Sequence, residues 1–257
     1  MFHEVTDDPT SSGFQRPGAV VYKHTREGFT RCLDAIAEGS APPSLVTELK
    51  EGIAKPRILL TFDDGGRSAL VAAAELERRG WRAHFFIVTS LVGHPGFLDA
   101  AGIRQLHRAG HVIGSHSHTH PNIFREQPVS RMLEEWRTSC DRLAQLLGGP
   151  CQAASVPGGD ISARVLESAD AAGLRYLFTS EPVLVPHQVG DCLVLGRFSV
   201  KANTPPDQVR HLAGFRGWTG ARVRRRLKVL ATRAVPPLYR LYIRARTRAP
   251  SGPVTPQ

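Results

Sequence analysis

The chain has 257 residues, 41% hydrophobic and 22% charged, a balance that fits a globular domain of barrel or doubly wound size and excludes a disordered or fibrous chain. The net charge of +10 is lopsided: residues 1–207 hold 21 Lys and Arg with all 23 Asp and Glu, a net of −2, whereas residues 208–257 hold 12 Lys and Arg and no acid. A near-neutral body with a cationic appendage does not read as a nucleic-acid binder, and no nucleic-acid partner is expected.

The opening Met1 to Asp8 lacks the basic-then-apolar order of a secretory signal, and no run of about 18 uncharged apolar residues follows anywhere. A cytoplasmic location is the expectation. The first dozen residues read as a frayed terminus, Ala19–Tyr22 as a short strand ending near His24, and Gly28–Glu38 as a helix. Ile58–Phe62 is an apolar run closed by Asp63-Asp64-Gly65-Gly66, the pattern of a strand buried on both faces. A helix over 68–80, a strand over 83–88, a helix over 100–109 and a strand over 111–115 follow. The alternation continues with a long helix over 130–147, a strand at 153–156, a helix over 162–172 and strands at 176–179 and 193–198. Such alternation predicts parallel α/β architecture, in which reactive groups gather at the C-terminal ends of strands. Cys32, Cys140, Cys151 and Cys192 form no CxxC pair, so free thiols are expected.

Two clusters sit at such strand ends. Asp63-Asp64 follows one strand and His116-Ser117-His118-Thr119-His120 follows another. Imidazole nitrogens and a carboxylate oxygen suit Zn²⁺ or a similar ion, three protein ligands leave a position open for water, and a second carboxylate can act as general base. Taken singly, Asp-Asp-Gly also reads as a solvated turn and the histidines as a polar loop, with His118 between loop and ligand.

Thr61-Phe62-Asp63-Asp64-Gly65 and His116-Ser117-x-x-His120 resemble the first two signature motifs of the polysaccharide deacetylase family, the NodB-homology or carbohydrate esterase family 4 domains. The resemblance covers most of residues 19–200. It implies a distorted (β/α) barrel of seven or eight parallel strands, a divalent metal ion, expected to be Zn²⁺, and hydrolysis of N-acetyl groups on a glycan or glycolipid. Position by position it implies Asp63 as catalytic base and Asp64, His116 and His120 as metal ligands. Residues 1–206 then form the deacetylase-like domain and 207–257 a basic helical extension.

The later motifs depart from the family pattern. Ser155-Val156-Pro157-Gly158-Gly159 stands where Arg-x-Pro-x-Gly is usual, so the arginine that orients the base is missing. No Leu-x-x-His supplies the usual acid. A circularly rearranged branch takes that histidine from an N-terminal strand with a Tyr-His-like ending, which Tyr22-Lys23-His24 resembles. His24 is therefore the expected acid, His187 the runner-up, and Arg197 a candidate replacement for the arginine. The eroded motifs also leave open an O-acetyl esterase or an inactive carbohydrate-binding protein.

In the basic segment Val223, Leu227, Leu230 and Ala234 recur at helical spacing among arginines, and Pro236-Pro237 interrupts before Leu238, Leu241, Tyr242 and Ala245. This basic amphipathic pair either packs on the barrel or attaches to an anionic membrane surface, which would place the chain peripherally at the inner membrane face.

Overall fold

The computed structural model describes residues 1–49, 56–159 and 161–234. Strands β1 (Glu4–Val5) and β2 (Lys23–His24) precede helix α1 (Arg26–Gly39), then β3 (Thr61–Phe62), α2 (Ala69–Glu77), β4 (His84–Ile87), α3 (Ala100–Arg108) and β5 (Val112–Ser115). Helix α4 (Val129–Leu147), β6 (Ala153–Ser155), α5 (Ala163–Ala171), β7 (Tyr176–Phe178), β8 (His187–Val189), β9 (Cys192–Leu195), α6 (Pro206–Ala213) and α7 (Trp218–Ala234) complete the described chain.

The seven-stranded sheet runs β3-β4-β5-β6-β7-β9-β8. Neighbours from β3 to β9 are parallel. Edge strand β8 pairs antiparallel with β9, a departure from the expected all-parallel set. The sheet curls toward closure through the first residues of the chain. Phe2 donates to the Thr61 carbonyl at 2.8 Å, while the Met1 nitrogen donates to Phe198 O at 2.9 Å and Val200 donates to Met1 O at 3.0 Å. Met1–Phe2 thus lies between the extension of β9 and β3, completing the distorted barrel.

The frayed terminus expected from the polar start is therefore corrected. Phe2 is buried and packs against Phe29 and Phe62, a side chain whose full burial is worth about 2–3 kcal/mol. Glu4 is buried too, accepting from Ser12 Oγ and from Ser68 Oγ at 2.6 Å, and burial pushes its carboxyl up to about 7 against those hydrogen bonds. A Cβ on Gly66 would collide with that carboxylate. Lys23 ties the same loop down by donating to Pro9 O and, at 2.8 Å, to Ser12 O. The strand expected at 19–22 is instead a short 3-10 turn over Val20–Tyr22, closed by Tyr22 N donating to Ala19 O at 3.0 Å. Both valines stand exposed, so no sheet neighbour rewards an extended path.

Local signals explain the other elements well. Thr25, Asp99 and Ser162 accept from the first turns of α1, α3 and α5, and α4 ends on Gly148 at φ 74°, a left-handed position glycine takes without a Cβ penalty. The change of composition near residue 206 coincides with the start of α6. That helix packs on α1 with Val209, Leu212 and Ala213 buried, so the body extends past the change of charge. In α7 Ala221 is buried while Val223 and Leu227 are exposed. The second half of the amphipathic pair, including Pro236-Pro237 and Leu238 to Ala245, lies outside the described residues. Among those described, no helix is long and apolar enough to cross a membrane.

Candidate active site

The C-terminal ends of β3, β5, β6 and β9 converge on one cavity of about 720 Å³. Asp63 and Asp64 leave β3 with Asp64 in the left-handed region at φ 76°, followed by Gly65 at φ 75°. Such a backbone costs a non-glycine residue energy and turns the two carboxylates apart. Asp64 faces His116 and His120: its Oδ1 lies 3.4 Å from His116 Nε2 and 3.8 Å from His120 Nε2. His120 is itself in the left-handed region at φ 54°.

The donor set fits a divalent cation. One ligand atom from each of Asp64, His116 and His120 lies within 4.8 Å of the others. His116 Nδ1 is 3.0 Å from the Ser155 carbonyl, which fixes the tautomer that leaves Nε2 facing Asp64. Burial, then the neighbouring His116, pushes His120 down to about 4, so it is neutral near pH 7 with a lone pair available. Burial opposes charge on His116, but the Asp63 and Asp64 carboxylates outweigh it and hold the ring above the usual histidine range. Burial likewise opposes charge on Asp64, and the His116 hydrogen bond with the surrounding histidines keeps it below the usual carboxylate range.

Asp63 has different company. Arg197, buried at the extension of β9, donates from Nη1 to Asp63 Oδ1 at 2.7 Å and from Nη2 to Oδ2 at 2.9 Å. The same guanidinium reaches Thr61 Oγ1 at 3.1 Å, Ser155 Oγ at 2.7 Å and Thr179 O at 3.0 Å. Ser155 Oγ in turn donates to Asp63 Oδ2 at 3.1 Å. Burial alone would raise this carboxyl, but the Arg197 charge and hydrogen bonds hold it far below the usual range. Ser155, standing where the family carries arginine, thus shares its partner with a guanidinium delivered from another strand. Arg197, the candidate replacement for the missing arginine, occupies this place beside Asp63.

His24 is not in the cavity, which corrects the expected acid. In register with Val5 on β1, it is buried, packs edge-on against Phe2, and has Nε2 3.1 Å from the Val200 carbonyl. His187 sits exposed on β8, and His118 is turned to Thr89 Oγ1 at 2.9 Å. Beside His116 and His120, the cavity is lined by a third histidine, His3. Its ring lies against Tyr22 at 4.5 Å between centroids, and its Nδ1 has no hydrogen-bond partner among the described residues. Burial lowers its pKa while Asp64 and Asp63 pull the other way. His3 lies in the polar opening stretch that reads as a frayed terminus, so the sequence alone does not single it out. The aromatic–histidine pair Phe2-His3 was the available signal.

A family model described as polysaccharide deacetylase matches residues 50–177. A peptidoglycan-N-acetylglucosamine deacetylase, PgdA of Listeria monocytogenes, is 29% identical over 127 residues, 48% of this chain and 26% of the relative's length. The chain therefore spans about a quarter of the curated relatives it matches. Among solved structures, IcaB from Ammonifex degensii superposes with a TM-score of 0.68 at 22% identity, covering 83% of this chain and 94% of that one. The Streptococcus pyogenes deacetylase PplD, solved in complex with acetate, gives 0.64 at 19%, covering 81% and 94%. These two likenesses establish a shared barrel. With the family model lying over both the Asp63-Asp64 and His116–His120 motifs, the chain belongs to the polysaccharide deacetylase family.

Proposed function

We propose that the chain is a metal-dependent hydrolase that removes N-acetyl groups from sugar residues of a polysaccharide, oligosaccharide or glycolipid. The observation that carries this reading is the separation of two adjacent aspartates into two tasks: Asp63 is clamped by Arg197, and Asp64 faces two histidines. Asp64, His116 and His120 would hold the ion, with Zn²⁺ suited to the nitrogen-rich set; when bound, it supplies Lewis acidity toward a carbonyl oxygen and lowers the pKa of water.

The chain's own groups do the rest. Asp63 Oδ1 accepts a single hydrogen bond, from Arg197, and so retains capacity to take a proton from the attacking water. Arg197 and Ser155 fix the plane of that carboxylate, so it needs no reorientation as the proton moves. His3, whose Nδ1 has no hydrogen-bond partner among the described residues, is the cavity group placed to protonate the departing amine, the Asp64 and Asp63 carboxylates favouring its charged form against burial.

The test is acetate release by the full chain from N-acetyl and O-acetyl sugars before and after chelation. N-deacetylation that disappears with the metal is expected, together with about one divalent ion per chain and its loss in His116→Ala and His120→Ala. Release from O-acetyl sugars alone would make the protein an esterase. Tight sugar binding without release would make it a binding protein.

His3 and His24 are separated by leaving-group chemistry. His3→Ala is expected to slow amide cleavage by about 100-fold or more while sparing an activated ester, whose leaving group needs no proton. His24→Ala should lower the melting temperature through a buried cavity and affect both substrates equally. The opposite pattern would return the acid role to His24.

Peripheral attachment of the basic segment at the inner face of a membrane is the companion proposal. Exposed Val223 and Leu227 beside Arg222 and Arg224 support it. Leu227→Asp in the full chain should reduce sedimentation with anionic vesicles, and unchanged sedimentation would count against an apolar contact.

A further inference from the structure

Among the described residues, the charges on the wall of the active-site cavity do not balance. Its three carboxylates, Glu4, Asp63 and Asp64, are each accounted for. Glu4 is buried among serines with its carboxyl pushed up to about 7, Asp63 is neutralised by Arg197, and Asp64 belongs to the cation-binding set. Four other cationic side chains share the wall: Arg16, Lys201, Arg224 and Arg225. Arg225 is engaged, donating to Glu181 Oε1 at 2.8 Å and to the Gly159 carbonyl. The remaining three have no carboxylate partner among the described residues.

Those three are differently held. Arg16 is half-buried, donates to Asn122 Oδ1 at 3.1 Å, and lies over the Phe14 ring with its guanidinium carbon 4.5 Å from the centroid. Phe14 in turn packs against His120 at 5.1 Å, and the Arg16 charge is felt at both Asp64 and His120. Lys201 and Arg224 are exposed, and their charged atoms have no ion-pair or hydrogen-bond partner among the described residues. Lys201 follows the β9 extension that carries Arg197, and Arg224 comes from α7, so distant parts of the chain bring to one cavity positive charge that no described carboxylate pairs.

A neutral sugar gives such a wall nothing to pair with. Guanidinium and ammonium groups at the mouth of a low-dielectric cleft favour an anion, and charge-assisted hydrogen bonds to phosphate or carboxylate oxygens are among the stronger polar contacts. Resting on the deacetylase reading above, we propose that the substrate is an N-acylated sugar carrying an anionic phosphoryl or carboxylate substituent, and that Lys201 and Arg224 receive that group while Arg16 adds positive potential beside the cation-binding set. Lys201 and Arg224 act on specificity, since nothing places them at the reacting atoms.

The experiment compares N-acetylglucosamine, its 1-phosphate and N-acetylmuramic acid, using the metal-loaded full chain. Binding is followed by calorimetry and turnover by acetate release. The phosphorylated sugar is expected to bind about 10-fold or more tighter than the neutral one, an advantage that shrinks as salt rises. A matching gain for N-acetylmuramic acid would show that any anion serves, and its absence would narrow the class to phosphoryl groups. Lys201→Ala and Arg224→Ala should each remove about 10-fold from the anionic sugar, through KM rather than kcat, with a several-fold smaller loss on the neutral sugar. Lys201→Arg should recover part of the loss, and Arg104→Ala, an exposed change on α3, controls for net charge.

Equal affinity for neutral and anionic sugars, or equal losses on both in the two variants, would overturn the inference. If acetate is released from the neutral sugar with no preference for charge, only this inference falls. If the anionic sugar binds selectively through Lys201 and Arg224 but no acetate appears, the specificity stands and the hydrolase reading falls.

Discussion

Asp63→Asn is expected to retain its metal and lose turnover by about 100- to 10,000-fold, the usual contribution of general-base assistance. The substitution keeps the side chain's shape but removes its charge and presents an amide N–H where the Arg197 fork requires two acceptors. Arg197 would then be buried without a counter-charge, which commonly costs about 3–5 kcal/mol, so the melting temperature should fall as well. Activity must therefore be measured on chain shown to be folded and loaded, with metal content and thermal unfolding recorded on the same sample. Asp64→Asn is the contrasting variant: it leaves the Arg197 clamp intact and should weaken the metal itself. If Asp63→Asn turned over normally, the base assignment would fail. If Asp63→Asn lost metal while Asp64→Asn kept it, the two roles would have to be exchanged.

The features legible in the sequence are those encoded locally. Asp63-Asp64-Gly65 and His116 to His120 are short segments at strand ends, so the residues of the candidate cation-binding set lie close to their motif neighbours, and the strand-helix alternation puts both motifs at one end of the barrel. The hidden features depend on partners far apart in the chain. The polar start from Glu4 to Ser12 looks like a solvated terminus until Ser68, 64 residues beyond Glu4, supplies a hydrogen bond to its carboxylate. Phe2 likewise becomes a core residue only when β3 pairs with it. His24 attracts the acid role because a tyrosine and an apolar pair precede it, whereas His3 lies in the polar start that reads as a frayed terminus. Yet Val20 and Val21 are exposed, and the Tyr22 ring ends up beside His3. The motif's aromatic residue reaches the cavity while its histidine turns inward.

The guanidinium shows the same limit from another direction. Sequence comparison sees Ser155 as a loss, because the family's motif places arginine there. In space the function is redistributed: β6 contributes a hydroxyl that bonds Asp63 Oδ2 and a carbonyl facing His116 Nδ1, and the charge arrives from Arg197, 42 residues later. One strand end thus orients both the proposed base and a histidine of the candidate cation-binding set, which a serine can do within the space that remains beside a buried guanidinium.

Arg197→Met should therefore be costly in two separable ways. Removing one partner of a buried ion pair leaves Asp63 desolvated and uncompensated, for a loss on the order of 3–5 kcal/mol in stability. Turnover should fall by about 100-fold, since the base loses the fork that fixes its plane. The pH profile identifies the cause. With Arg197 present, the Asp63 carboxyl is held far below the usual range, so its share of stability is in place above the ordinary carboxylate pKa and disappears only as pH falls through the depressed value. Without Arg197, burial dominates and pushes the carboxyl upward, so the acidic limb of kcat/KM should move to higher pH. Arg197→Lys keeps a positive charge but not the two-pronged contact, and should shift that limb less than the methionine variant while remaining slow. Pairing Arg197→Ser with Ser155→Arg returns the guanidinium to the family's usual strand and should recover part of the turnover lost in Arg197→Ser alone. An acidic limb that stays fixed in Arg197→Met would mean that Arg197 supports the barrel without governing the charge of Asp63.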